Sequence, residues 1–185
     1  MSRFALLILL STWTCLSATA AFRADEKPAE VTEYYLGESK MSLPSGQVVR
    51  TTLSLLKRVS DPRKSTIEEH VLSIDGKTPP KIFVVTFAVK GSTFTVSEKS
   101  KSFSGKGELI GDPWKWKTWK SETELPEGMG KVVSEDRAEE KGLSGKKTFT
   151  GPDGKVRFLF ADFLAPISAQ TYEILYGQLA AQVDK

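Results

Sequence analysis

Gln47-Val48-Val49-Arg50-Thr51-Thr52-Leu53-Ser54-Leu55-Leu56-Lys57-Arg58-Val59 is the stretch whose reading decides the fold. Val49, Thr51, Leu53 and Leu55 fall on one parity, and Arg50, Thr52 and Ser54 on the other. A period of two in β-branched and aliphatic residues is what an extended strand with two unlike faces requires. Pro44-Ser45-Gly46 before it and Asp61-Pro62 after it are breaks, because proline and glycine favour turn geometry over a continued ladder.

The same grammar repeats downstream. Ser65 to Ile74 alternates, with His70, Leu72 and Ile74 on one face. Ile82 to Val89 is apolar on both parities, as a strand covered on both sides would be. Lys90-Gly91-Ser92 turns it into Thr93 to Glu98, where Phe94 and Val96 alternate with threonine and serine. Phe103 to Ile110 follows, its glycines 105 and 107 allowing a bulge or a close approach. Trp114 to Leu125, Lys131 to Ala138 and Ser144 to Thr150 read as further strands. Gly151-Pro152-Asp153-Gly154 is a hairpin turn feeding Lys155 to Phe163. In that last strand Val156, Phe158, Phe160 and Asp162 oppose Arg157, Leu159, Ala161 and Phe163. The period then changes: Ile167, Tyr172, Leu175, Tyr176, Leu179 and Val183 recur at helical spacing, with Ser168 as N-cap. This predicts a helix over about 168–183. Its apolar stripe fits packing on the sheet or plugging one end, with a membrane or partner contact as the alternative.

Upstream, Thr32 to Leu43 is ambiguous: Tyr34, Tyr35, Leu36 and Met41 fit a short strand or one turn of helix. Phe22 to Val31 is charged and reads as a flexible lead-in. Eight or nine strands on short turns, ending in a helix, predict an all-β antiparallel up-and-down barrel, which removes its own edges. A two-sheet β-sandwich is the competing architecture.

Gly105-x-Gly107, Trp114-x-Trp116-x-x-Trp119, the strand from Gly142-Leu143 to Thr148-Phe149, and Asp153-Gly154-Lys155-Val156 carry a resemblance. Over the C-terminal half the chain resembles exported lipocalin-like (calycin-type) bacterial domains of unknown function. The resemblance implies a barrel with a cavity and no activity.

The first 21 residues read as a signal peptide. Arg3 precedes the apolar run Phe4 to Leu10, and Ala18-Thr19-Ala20 is a small-x-small cleavage site. Export to a periplasmic or extracellular compartment is the expectation, with no stable membrane anchor left after cleavage and residues 32–185 forming one domain. The sole cysteine, Cys15, lies in that leader, so a disulfide framework is not expected in the remainder. Twenty-six basic against 23 acidic residues is too balanced to argue for nucleic acid.

The tryptophans give the candidate site. Each indole can remove ~150–250 Å² from water, so Trp114, Trp116 and Trp119 anchor a core or line a pocket. Trp114 and Trp116 share a strand face, and Trp119 falls opposite unless the register shifts by one. The expectation is a non-enzymatic protein binding a small apolar or amphipathic ligand. Trp114, Trp116, Phe87, Phe94 and Phe158 would line its cavity, with Lys117 at the mouth. Core packing inside and solvated lysines outside is the ordinary alternative. A cell-envelope or carbohydrate-binding module would instead use exposed indoles, Trp119 beside Lys117 above all. His70, the single histidine, could serve a hydrolase or a haem enzyme, but no second histidine or cysteine joins it after the leader. No catalytic residue, metal ligand or cofactor is expected. The acid pairs Glu68/Glu69, Glu122/Glu124 and Glu139/Glu140 sit in lysine-rich surroundings and read as solvated surface.

Overall fold

The computed structural model describes residues 28–99, 104–115 and 117–181. Among these, ten strands close into one antiparallel barrel, and a helix follows the last of them. The strands are β1 (Val31–Ser42), β2 (Val48–Asp61), β3 (Thr66–Ile74), β4 (Lys81–Lys90) and β5 (Thr93–Glu98), followed by β6 (Ser104–Ile110), β7 (Thr118–Glu124), β8 (Lys131–Glu139), β9 (Gly142–Thr150) and β10 (Val156–Pro166). The barrel prediction holds and the sandwich does not. The strand beyond the expected eight or nine is β1, whose sequence was ambiguous.

β1 is the closing element. Its residues pair with β2 from Val31↔Ser60 onward and with β10 from Tyr35↔Pro166 to Ser42↔Leu159. The ambiguity has a physical cause. Tyr35 points inward and is buried, whereas Tyr34 and Leu36 point outward and are covered by the helix. Apolar residues on both parities erase the period of two.

β2 alternates as its sequence predicts. Arg50, Thr52, Ser54, Leu56 and Arg58 point into the barrel, so the more polar parity faces inward. Of the outward residues, Leu53 is 41% exposed, yet Leu55 is fully buried. The helix α1 (Ala169–Ala180) explains the difference. It packs Tyr172, Leu175, Tyr176 and Leu179 over Leu55 and Leu72 on the outer wall, with the Tyr34 and Tyr172 rings 4.9 Å apart. Ser168 caps it as expected, its Oγ accepting from the Thr171 N–H at 3.1 Å. The helix therefore lies beside the barrel and plugs neither end. It is shorter than the predicted span, and Val183 lies outside the described residues. β4 also departs from expectation: Val85 and Phe87 face the interior, but Ile82 on the outer face is 40% exposed, so only one side is covered.

One end of the barrel is solid. Ile67, Phe87, Val89, Phe94, Leu109 and Trp119 interlock there, with Trp119 4.4 Å from both Phe87 and Phe94 between ring centres. Gly107 makes this possible by close approach and not by a bulge. A Cβ at that position would lie 2.2 Å from the Phe94 ring and 2.1 Å from the Lys120 carbonyl oxygen. Tyr35 closes the same end, its hydroxyl donating to Glu33 at 3.0 Å. Burial, helped by Glu33, pushes that phenol up to about 12. The other end carries the β1–β2, β3–β4, β7–β8 and β9–β10 turns. Inward-facing Phe83 is 38% exposed there.

Candidate functional site

Between the solid end and the open end the barrel is hollow. A cavity of about 320 Å³ is walled by Val85, Phe87, Val96, Trp119, Leu143 and Leu164, with Ser121, Thr123 and Ser134 on one side. A second lobe of about 360 Å³ runs to the open end past Thr52, Ser54, Ser73, Lys81, Phe83 and Phe160. Leu56, Glu69, Lys147, Asp162 and Leu164 border both lobes. Inward parity alone delivers these residues. β7 contributes Trp119, Ser121 and Thr123, β8 contributes Val132, Ser134 and Asp136, and β9 contributes Leu143, Gly145 and Lys147.

The chemical character of the cavity lies in a charged layer at mid-depth. Arg58 is only 5% exposed and donates from Nε and Nη2 to Glu69 Oε1, at 2.8 and 2.5 Å. Lys147 Nζ donates to Asp162 and lies 3.8 Å from Asp136 Oδ1. These groups meet because Asp136, Gly145 and Asp162 stand side by side on three adjacent strands, with Lys147 two residues along the inner face from Gly145. Asp136 keeps 29% and Lys147 36% of its side-chain surface accessible, and since both point inward that surface is cavity wall. Burial pushes the Asp136 carboxyl above its ordinary value; Lys147 and Arg58 oppose the shift, and Glu69 and Asp162 add to it. Burial alone would depress Lys147, but Asp136 and Asp162 outweigh it and hold the ammonium above the usual lysine range.

A stability prediction follows from Asp136. An acid held above its unfolded value of 3.8 gives stability that is complete below that value and lost as pH rises through the folded pKa. Asp136→Asn is therefore expected to melt above the parent at neutral pH, the gap closing as pH falls through the ordinary aspartate range. Melting temperatures measured from pH 3 to pH 8 check this; a gap that widens toward acid would contradict it.

The sequence-predicted residues separate into groups. Phe87 lines the cavity, and Phe94 is buried in the solid end beneath it. Phe158 points inward near the open end, stacked on Phe149 with ring centres 5.8 Å apart. Trp114 sits in the β6–β7 turn, not in a strand, half-buried against the core. Trp116 lies outside the described residues. Lys117 is exposed on the same turn and borders neither lobe. Among the described residues, Trp119 is the indole that enters the cavity wall, at 3% exposure. The parity count from Trp114 fails because the strand starts only at Thr118. Gly111 at φ +97° and the Trp114 N–H donated to Asp112 Oδ1 at 2.9 Å make a turn that resets the register. A sugar-stacking role for Trp119 is thereby removed, since the indole is buried against Phe87 and Phe94. His70 points out of the barrel, with Nε2 2.5 Å from Glu68 Oε1, away from the cavity. Among the described residues no group of three or more histidine, cysteine or acidic side chains is placed to hold a metal ion.

Arg58, Glu69, Asp136 and Lys147 are the site residues that sequence reasoning missed. For the neighbouring Asp162 a signal existed, since it shares a parity with Phe158 and Phe160; for these four the sequence carries none. Comparison of the sequence with protein-family models and with curated proteins finds no match.

Proposed function

We propose that this chain is a non-enzymatic binding protein that holds a small amphipathic molecule inside its barrel. The observation carrying the proposal is the half-enclosed 320 Å³ cavity, apolar on most of its wall and bordered by a few convergent charged groups. That combination of volume, apolar lining and sparse polar anchors is the physical profile of a small-molecule site. Barrels of this general size either fill with side chains or enclose one small ligand.

The lipocalin-like affinity belongs to the same proposal, supported by strand topology and by the motifs that suggested it. Export to a periplasmic or extracellular compartment rests on the leader pattern of residues 1–21. Among the described residues no helix is long and apolar enough to cross a membrane. The outer wall of β6 to β8 carries Lys106, Glu108, Lys120, Glu122, Glu135 and Arg137, with Lys120 and Arg137 both paired to Glu135. Such a wall suits water and is costly against lipid, where an arginine or lysine at the midplane is penalised by ~2–4 kcal/mol and an acid by less.

The test is native mass spectrometry of the protein after incubation with a lipid extract, beside Val132→Trp, which places an indole in the cavity. The expected result is a bound small molecule on the parent and none on the variant, with unchanged circular dichroism. No adduct on the parent, or equal adducts on both, would overturn the proposal.

A further inference from the structure

Resting on that reading of the cavity, we infer that the site selects a ligand bearing a positive charge on an apolar body, an alkylamine in the simplest case, with Asp136 as its counter-ion. Three carboxylates, Glu69, Asp136 and Asp162, meet two cations, Arg58 and Lys147, around the cavity. Each cation is already engaged: Arg58 by Glu69, and Lys147 by Asp162. Asp136 shares Lys147 with Asp162 and has the longer contact of the two. Lys147 at 3.8 Å is its ion-pair partner among the described residues, beyond hydrogen-bonding range. A buried carboxylate in that position is stabilised by a donor, and one carrying charge most of all.

The backbone keeps this carboxylate uncovered. Gly145 lies between Asp136 and Asp162 in the sheet, and a Cβ on it would stand 2.2 Å from Asp136 Oδ1. Trp119, the cross-strand partner of Asp136, continues into the apolar wall of Phe87, Val85 and Leu143, where an alkyl chain fits. A ligand ammonium at Asp136 balances the layer. An anionic head would have to displace Glu69 or Asp162 from its cation and would face the remaining carboxylates. Lys81 stands at the open end of the second lobe, exposed, where water already solvates it.

Isothermal titration of the purified protein at pH 7.5 with octylamine, octanol and octanoate tests this. Octylamine is expected to bind at least tenfold more tightly than octanoate and more tightly than octanol. Asp136→Asn should bring octylamine down to the affinity of octanol and leave octanol unchanged. Gly145→Ala, which covers the carboxylate without removing it, should weaken octylamine in the same direction. Octanoate matching octylamine, or octylamine unaffected by both variants, would overturn the charge selection while leaving cavity binding intact. Failure of all three probes to bind would count against the cavity reading itself, and the inference would fall with it.

Discussion

Trp119→Ala is expected to lower the free energy of unfolding by about 3–5 kcal/mol, as large aromatic truncations in packed interiors do. Trp119 is 3% exposed and wedged between Phe87 and Phe94, and its other neighbours in the solid end include Leu109 and Val89. Gly107 holds Phe94 in place through close backbone approach, so the surrounding rings have little freedom to collapse into the void. Trp114→Ala should cost clearly less, because Trp114 is only half-buried on a turn. Urea unfolding followed by circular dichroism orders the two. A Trp119→Ala loss below that of Trp114→Ala would show that the rings are not packed as described.

Arg58→Met is expected to cost a comparable amount, about 3–5 kcal/mol, for an electrostatic reason. Breaking a buried ion pair from one side strands the other charge in a poor solvent. Glu69 keeps 17% of its side chain accessible, within the cavity, and its hydrogen bonds from Arg58 would be gone. Replacing both residues, as in Arg58→Met with Glu69→Met, should recover most of the loss, since a buried pair is often no better than well-packed apolar groups. The same urea titration reads both variants. Equal losses from the single and double replacements would mean that Arg58 acts through packing alone.

Most of the wall was legible in the sequence because its strands keep a period of two between glycine- and proline-marked turns. β2, β5 and β10 could be placed residue by residue on that basis. β1 could not, because a helix distant in sequence covers Tyr34 and Leu36 from outside while Tyr35 faces in. The same covering gave Leu53 and Leu55 opposite fates on one parity. Alternation reports that two faces differ; it does not report which one is inside. The site was harder still. Asp136, Lys147 and Asp162 belong to three strands, each with charged residues on both parities, and only the lateral register brings them around Gly145. Lys117 was chosen for its nearness to the tryptophans, yet it stands exposed just before β7 and borders neither lobe of the cavity.

A crystal structure of the protein grown with octylamine tests the hollow interior most directly. The account predicts density for the alkyl chain between Phe87 and Leu143, with its nitrogen within hydrogen-bonding distance of Asp136. An interior filled by side chains, or an alkylamine bound only on the outer wall, would contradict it.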